Sequence, residues 1–209
     1  GYSVSNNFRI YGGAAVGAII NSNTTNTSSV SGTVSLDTVA ASLGGAGNLS
    51  LSGVVNDNAR GIAFVGSGGY TLNNSLNTIS TIATIGSSNS IGSLTLVNAS
   101  NLTIGSVTVG AAYTGIRSSG NVAITVTANS TASAALTSTV ATVATGNVSF
   151  TTTSTTGGGI HYTGTNGTIS GALVSLTATS TTGVAITATG TITSTAGITI
   201  NGNSSACLL

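Results

Sequence analysis

Seven side chains hold the charge, imidazole and thiol chemistry of this 209-residue chain: Arg9, Asp37, Asp57, Arg60, Arg117, His161 and Cys207. Two carboxyl groups flanking one bond are the usual equipment of glycoside hydrolysis. Asp37 and Asp57 are 20 residues apart and could stack on neighbouring turns of a coiled chain, but they are expected at solvated corners. His161 stands in Ile160-His-Tyr162 and would need a third group to orient it as a base. It is expected to point outward between inward Ile160 and Tyr162. One His, one Cys, two Asp and no Glu supply no metal site. Cys207 has no partner for an internal disulfide. It reads as a buried or terminal thiol, or as an intermolecular crosslink. Three arginines make no basic stripe for nucleic acid. They are expected at corners or flanks, with Asp57 and Arg60 close enough in sequence for a local pair. The residues thus give no catalytic constellation and no cofactor. The chain is not expected to be an enzyme.

The elements that would position any site come from a repeat. Thr125-Val-Thr127, Thr151-Thr-Thr153 and Thr177-Ala-Thr179 lie 26 residues apart. Each closes an alternating run: Val122, Ile124, Val126; Val148, Phe150; Val174, Leu176. A fixed period in this range marks a solenoid whose repeats bury a shared core. Composition agrees. There is no Lys, Glu, Gln, Pro, Met or Trp, charged residues are 2% and 40% are hydrophobic. β-branched residues pack well on pleated surfaces. The chain therefore reads as all-β, a parallel β-helix of about nine coils of roughly 20–26 residues. One domain spans 1–209, with looser coils over 1–100 and regular coils over 101–209. A second apolar series, Ile116, Leu136, Ile160 and Val184, falls about one coil apart. Residues 12–20, the longest apolar stretch, are too short to cross a bilayer as a helix, which takes about 20 residues. With five Tyr and three Phe, the aromatic girdles of a membrane barrel are missing too. Without Met, the chain reads as a processed or excised segment.

Gly120-Asn-Val-Ala-Ile-Thr-Val-Thr-Ala128, Gly146-Asn-Val-Ser-Phe-Thr-Thr-Thr153, Leu173-Val-Ser-Leu-Thr-Ala-Thr179 and the run from Thr191 to Ile200 resemble repeats of filamentous-haemagglutinin-type exoproteins. They are also similar to autotransporter passengers and related bacterial β-strand-repeat surface proteins. The resemblance implies a right-handed parallel β-helix, secreted and displayed on a bacterial surface, with adhesive or fibre-building roles. It brings no general catalytic site. The lack of Lys, Glu and Gln departs from those proteins and favours a uniform structural use.

Three roles follow as expectations. The first is an extracellular structural subunit that stacks end to end with itself into a fibre, sheath or layer. Its contact would join Phe8, Ile10 and Tyr11 to Ile198, Ile200, Cys207, Leu208 and Leu209. The second is the stalk segment of a larger adhesin, with cell-surface glycans or a host surface as partner. The third is an ice-binding module using the outward ladder Thr125, Thr127, Thr151, Thr153, Thr177 and Thr179.

Overall fold

A computed structural model describes residues 1–13, 16–84, 90–128, 134–164 and 166–206. Every regular element among them is a strand. The longest parallel ladder forms one face of the molecule. It stacks Ser3–Val4, Ser28–Val30, Leu49–Leu51, Gly69–Leu72, Ser93–Asn98, Val122–Ala128, Val148–Ser154, Ile169–Val184 and Ile192–Ala206. These nine rungs belong to a β-solenoid of about seven turns. The expected nine coils are therefore too many, because successive rungs of this face do not each close a full turn. At ~4.8 Å per rung the ladder is about 40 Å long.

Pairing is residue to residue along this face. An inner file runs Val4, Val30, Leu51, Leu72, Leu96, Ile124, Phe150, Leu176, Ile200. The neighbouring outer file runs Ser3, Ser29, Ser50, Thr71, Thr95, Ala123, Ser149, Ser175, Thr199. Strand residues alternate sides, so a slip of one residue would exchange the two files. Val122, Ile124, Val126, Val148, Phe150, Val174 and Leu176 are all buried, as the alternation requires. Each buried Val, Leu or Ile contributes roughly 1.5–3 kcal/mol.

The first hundred residues look loose in sequence because the step changes, not because coils are missing. Ser3 pairs Ser29, but Ser29 pairs Ser50 and Ser50 pairs Thr71, a step of 21. Thr71 pairs Thr95, a step of 24, and Thr95 pairs Ala123, a step of 28; the next two steps are 26 and the last, Ser175 to Thr199, is 24. Even the first residues, which show no period, are in register: Phe8 pairs Val34.

The second apolar series is corrected by the pairing. Leu136 pairs Ile160, but Ile160 pairs Ile186, not Val184. Ile116 lies on a different face, opposite Thr142. An antiparallel hairpin, Ser106–Val109 with Ala111–Thr114, also leaves the coil. It turns at Gly110, whose φ of 71° favours a residue without Cβ. Its Val107, Val109 and Tyr113 pack on Ala63, Val65 and Ala83, forming a satellite core on the flank.

Candidate functional site

The two aspartates do not share a site. Val34 pairs Val55, a local step of 21 against their spacing of 20. The pleat therefore turns Asp57 inward and leaves Asp37 outside. Asp37 meets Arg9 in an ion pair whose side chains are 38% and 75% exposed. Such a surface pair is worth little. Asp57 is the correction. It is 1% exposed, not a solvated corner. Its Oδ1 accepts Ala59 N–H at 2.9 Å. Its Oδ2 accepts Gly61 N–H at 3.1 Å, Ser80 N–H at 2.8 Å and the Ser80 hydroxyl at 2.7 Å. Backbone donors and one hydroxyl hold this carboxylate, and the Arg60 backbone N–H donates to the Asp57 carbonyl at 2.9 Å. The expected side-chain pair with Arg60 is replaced by this turn. Asn58 and Ala59 complete it with φ of 49° and 59°.

His161 is exposed between buried Ile160 and Tyr162, as expected. It sits in an outer file between Thr137 and Thr187. It borders a shallow groove of about 410 Å³ lined also by Ala134, Thr156, Gly158, Thr182 and Gly183. No carboxylate lines that groove. Arg60 and Arg117 are exposed. Among the described residues no three His, Cys, Asp or Glu come together. No described helix is long and apolar enough to cross a membrane.

The threonine ladder does come together. Thr125, Thr151 and Thr177 form one file, and Thr127, Thr153 and Thr179 the next. Thr125, Thr127, Thr153 and Thr179 are exposed, while Thr151 and Thr177 are half-buried between their neighbours. Beside them runs the outer file, here Ala123, Ser149 and Ser175. The result is a sheet face with hydroxyls about 4.8 Å apart along the axis and about 6.6 Å across it. Val97 borders the array on one side, and Asn201 and Asn203 on the other.

The expected contact residues divide. Ile10 is 7% exposed and already covered inside its own core, and Phe8 packs against that core. Tyr11 is 69% exposed, Ile198 49% and Ile200 47%. Cys207, Leu208 and Leu209 lie outside the described residues. Tyr2, which the sequence reading passed over, is 80% exposed at the same end as Tyr11.

Of three buried asparagines, Asn21, Asn77 and Asn98, the last two repeat one arrangement that was also missed. Asn77 Oδ1 accepts Val55 N–H at 2.7 Å, and its amide donates to the Val97 carbonyl at 2.9 Å. Asn98 Oδ1 accepts Ile79 N–H at 2.8 Å, and its amide donates back to the Ile79 carbonyl at 2.9 Å. They stitch one coil to the next at a corner. Their spacing of 21, within a few residues of the neighbouring coil steps of 22 and 24, was the available signal. Comparison with family models, curated proteins and solved structures gives no match for this chain.

Proposed function

We propose that the chain is an extracellular structural protein, a self-assembling β-solenoid subunit of a fibre, sheath or layer at a bacterial surface. One observation carries this reading. The inner files of the first face are fully buried at Val174 and Leu176, yet their next members, Ile198 and Ile200, are about half exposed. A further coil of the same pattern would cover them. A sheet edge left open in this way is a template for another chain, and a contact between unlike ends gives an open filament. Neither end strand of the ladder contains a charged residue to oppose stacking. Sedimentation across a concentration range, with negative-stain imaging, tests the reading. Growing filaments are expected. A monodisperse short rod at high concentration would overturn it and favour the adhesin stalk.

The threonine array supports a second reading, an ice-binding face. Six threonines in register on a parallel sheet, beside Ser149 and Ser175 in the next file, can hold an ordered layer of water. Thermal hysteresis of the purified chain, lost on replacing Thr151 and Thr177 by Tyr, is the expected result. Hysteresis no greater than that of an inert protein would remove this reading.

A further inference from the structure

We propose that copies join head to tail through the first face. The Ser3–Val4 strand of one copy pairs in parallel along the free edge of the Ile192–Ala206 strand of another. The register is Tyr2 on Ile198, Ser3 on Thr199 and Val4 on Ile200. The proposal rests on the assembly reading and fixes its geometry.

Three observations lead to this register. First, Ser3 and Thr199 are the two ends of one outer file, and Val4 and Ile200 of one inner file. Stacking one end on the other continues both files without changing which residues face the core. Second, among the described residues each terminal strand pairs on one side only: Ser3–Val4 with Ser28–Val30, and Ile192–Ala206 with Ile169–Val184. Third, the backbone groups left over are complementary. Ser29 N–H donates to the Tyr2 carbonyl at 2.7 Å, and Ser31 N–H to the Val4 carbonyl at 2.9 Å. In a parallel strand successive residues bond to opposite neighbours. The N–H and C=O of Ser3 therefore face the free edge. In the files that Ile198 belongs to, Leu94 N–H donates forward to Asn121 and Val122 N–H forward to Asn147. The same phase leaves the Ile198 carbonyl and the Ile200 N–H free on the far side. Ser3 N–H then donates to Ile198 C=O, and Ile200 N–H to Ser3 C=O. The exposed ring of Tyr2 comes to rest over Ile198, and Val4 closes over Ile200. The occupant is a second copy because this chain's own first strand meets each requirement of parity, phase and apolar surface.

A disulfide trap reads the register directly. Facing residues on paired strands lie about 4.8 Å apart, inside the Cα range of roughly 4.4–6.8 Å for a disulfide. Within one copy, Ser3 and Thr199 are eight rungs apart, about 38 Å, and cannot be bridged. In a Cys207→Ser background, the double variant Ser3→Cys/Thr199→Cys is assembled and oxidised with diamide. A denaturing gel should show a ladder of dimers, trimers and longer species, and either single variant should stop at background. Dimers from Thr199→Cys alone would mean tail-to-tail pairing and overturn the proposal. A ladder from Ser3→Cys/Asn201→Cys in place of the Thr199→Cys pair would overturn the register. Filaments by imaging without any ladder would overturn this geometry while leaving assembly intact. No filaments in the unsubstituted chain would overturn both.

Discussion

Replacing Asp57 should unfold the solenoid more readily than replacing any other charged residue. Asp57→Ala takes this acceptor from five donors: the N–H groups of Ala59, Gly61 and Ser80, the Ser80 hydroxyl and, in a longer bond of 3.5 Å, the Thr81 N–H. The bond to Gly61 is buried, and those to Ser80 are half-covered. An unsatisfied buried donor costs about 1–3 kcal/mol. One such donor, with lesser costs of about 0.5 kcal/mol or more for each half-covered one, gives a sum of about 3–6 kcal/mol. Removing a buried carboxylate also removes its desolvation penalty, which works the other way. The net expectation is roughly 2–4 kcal/mol. Asp57→Asn separates the causes. Its oxygen can take the Oδ2 position, where four donors converge, but its amide then faces Ala59 N–H. Its cost should be about 1–3 kcal/mol. Equilibrium urea unfolding followed by circular dichroism measures both. An Ala variant within about 0.5 kcal/mol of the parent, the usual range for neutral surface changes, would refute this account of the turn. Equal losses for Ala and Asn would show that charge, not the count of acceptors, holds it.

Phe150 is fully buried with its ring 6.1 Å from that of Tyr162, so Phe150→Ala should cost about 3–5 kcal/mol in the same unfolding assay. An unchanged midpoint would place it outside the core. Ala59 sits at a φ of 59°, which strains a side chain, so Ala59→Gly should raise stability by up to about 1 kcal/mol. A lower thermal midpoint would contradict that. Burial pushes the Tyr70 phenol up, and burial raises Tyr162 against the opposing hydrogen bonds to Thr142 and Ser138. The folded chain therefore keeps protons that the unfolded chain releases. Stability should be fully present below pH about 10 and fall above it, by at most about 1.4 kcal/mol per pH unit for each tyrosine. Tyr70→Phe should remove its share of that slope, and a flat profile from pH 9 to 11 would exclude the mechanism.

The regular half of the fold was legible because one interval governs it. With a step of 26, Thr125, Thr151 and Thr177 align by eye, and the pleat then assigns every neighbour to a side. The earlier coils follow the same rule but change interval from 26 to 21 to 24 to 28, so no single period reveals them. The hairpin escaped notice because Val109-Gly-Ala111 lacks a two-residue turn signature, and Ser106-Val-Thr-Val109 alternates like any coil strand. Asp57 was misplaced for want of one number. Whether a polar residue faces in or out depends on the parity of the coil step, and a 20-residue spacing means opposite things for steps of 20 and 21. Of the candidate contact, exposure at Ile198 and Ile200 follows from their place at the end of a file, while the burial of Ile10 depended on neighbours that its local sequence does not name.

The varying coil step has an evolutionary consequence. The rungs keep strict time on the first face while the path between them ranges from 21 to 28 residues. Length is thus a free variable at the corners and a fixed one on the ladder. An insertion at a corner can grow outward, as the Gly110 hairpin does, without shifting the partner of a single ladder residue. A scaffold built this way can acquire a new surface loop in one step and keep its old spine, so its flank is open to change on every coil.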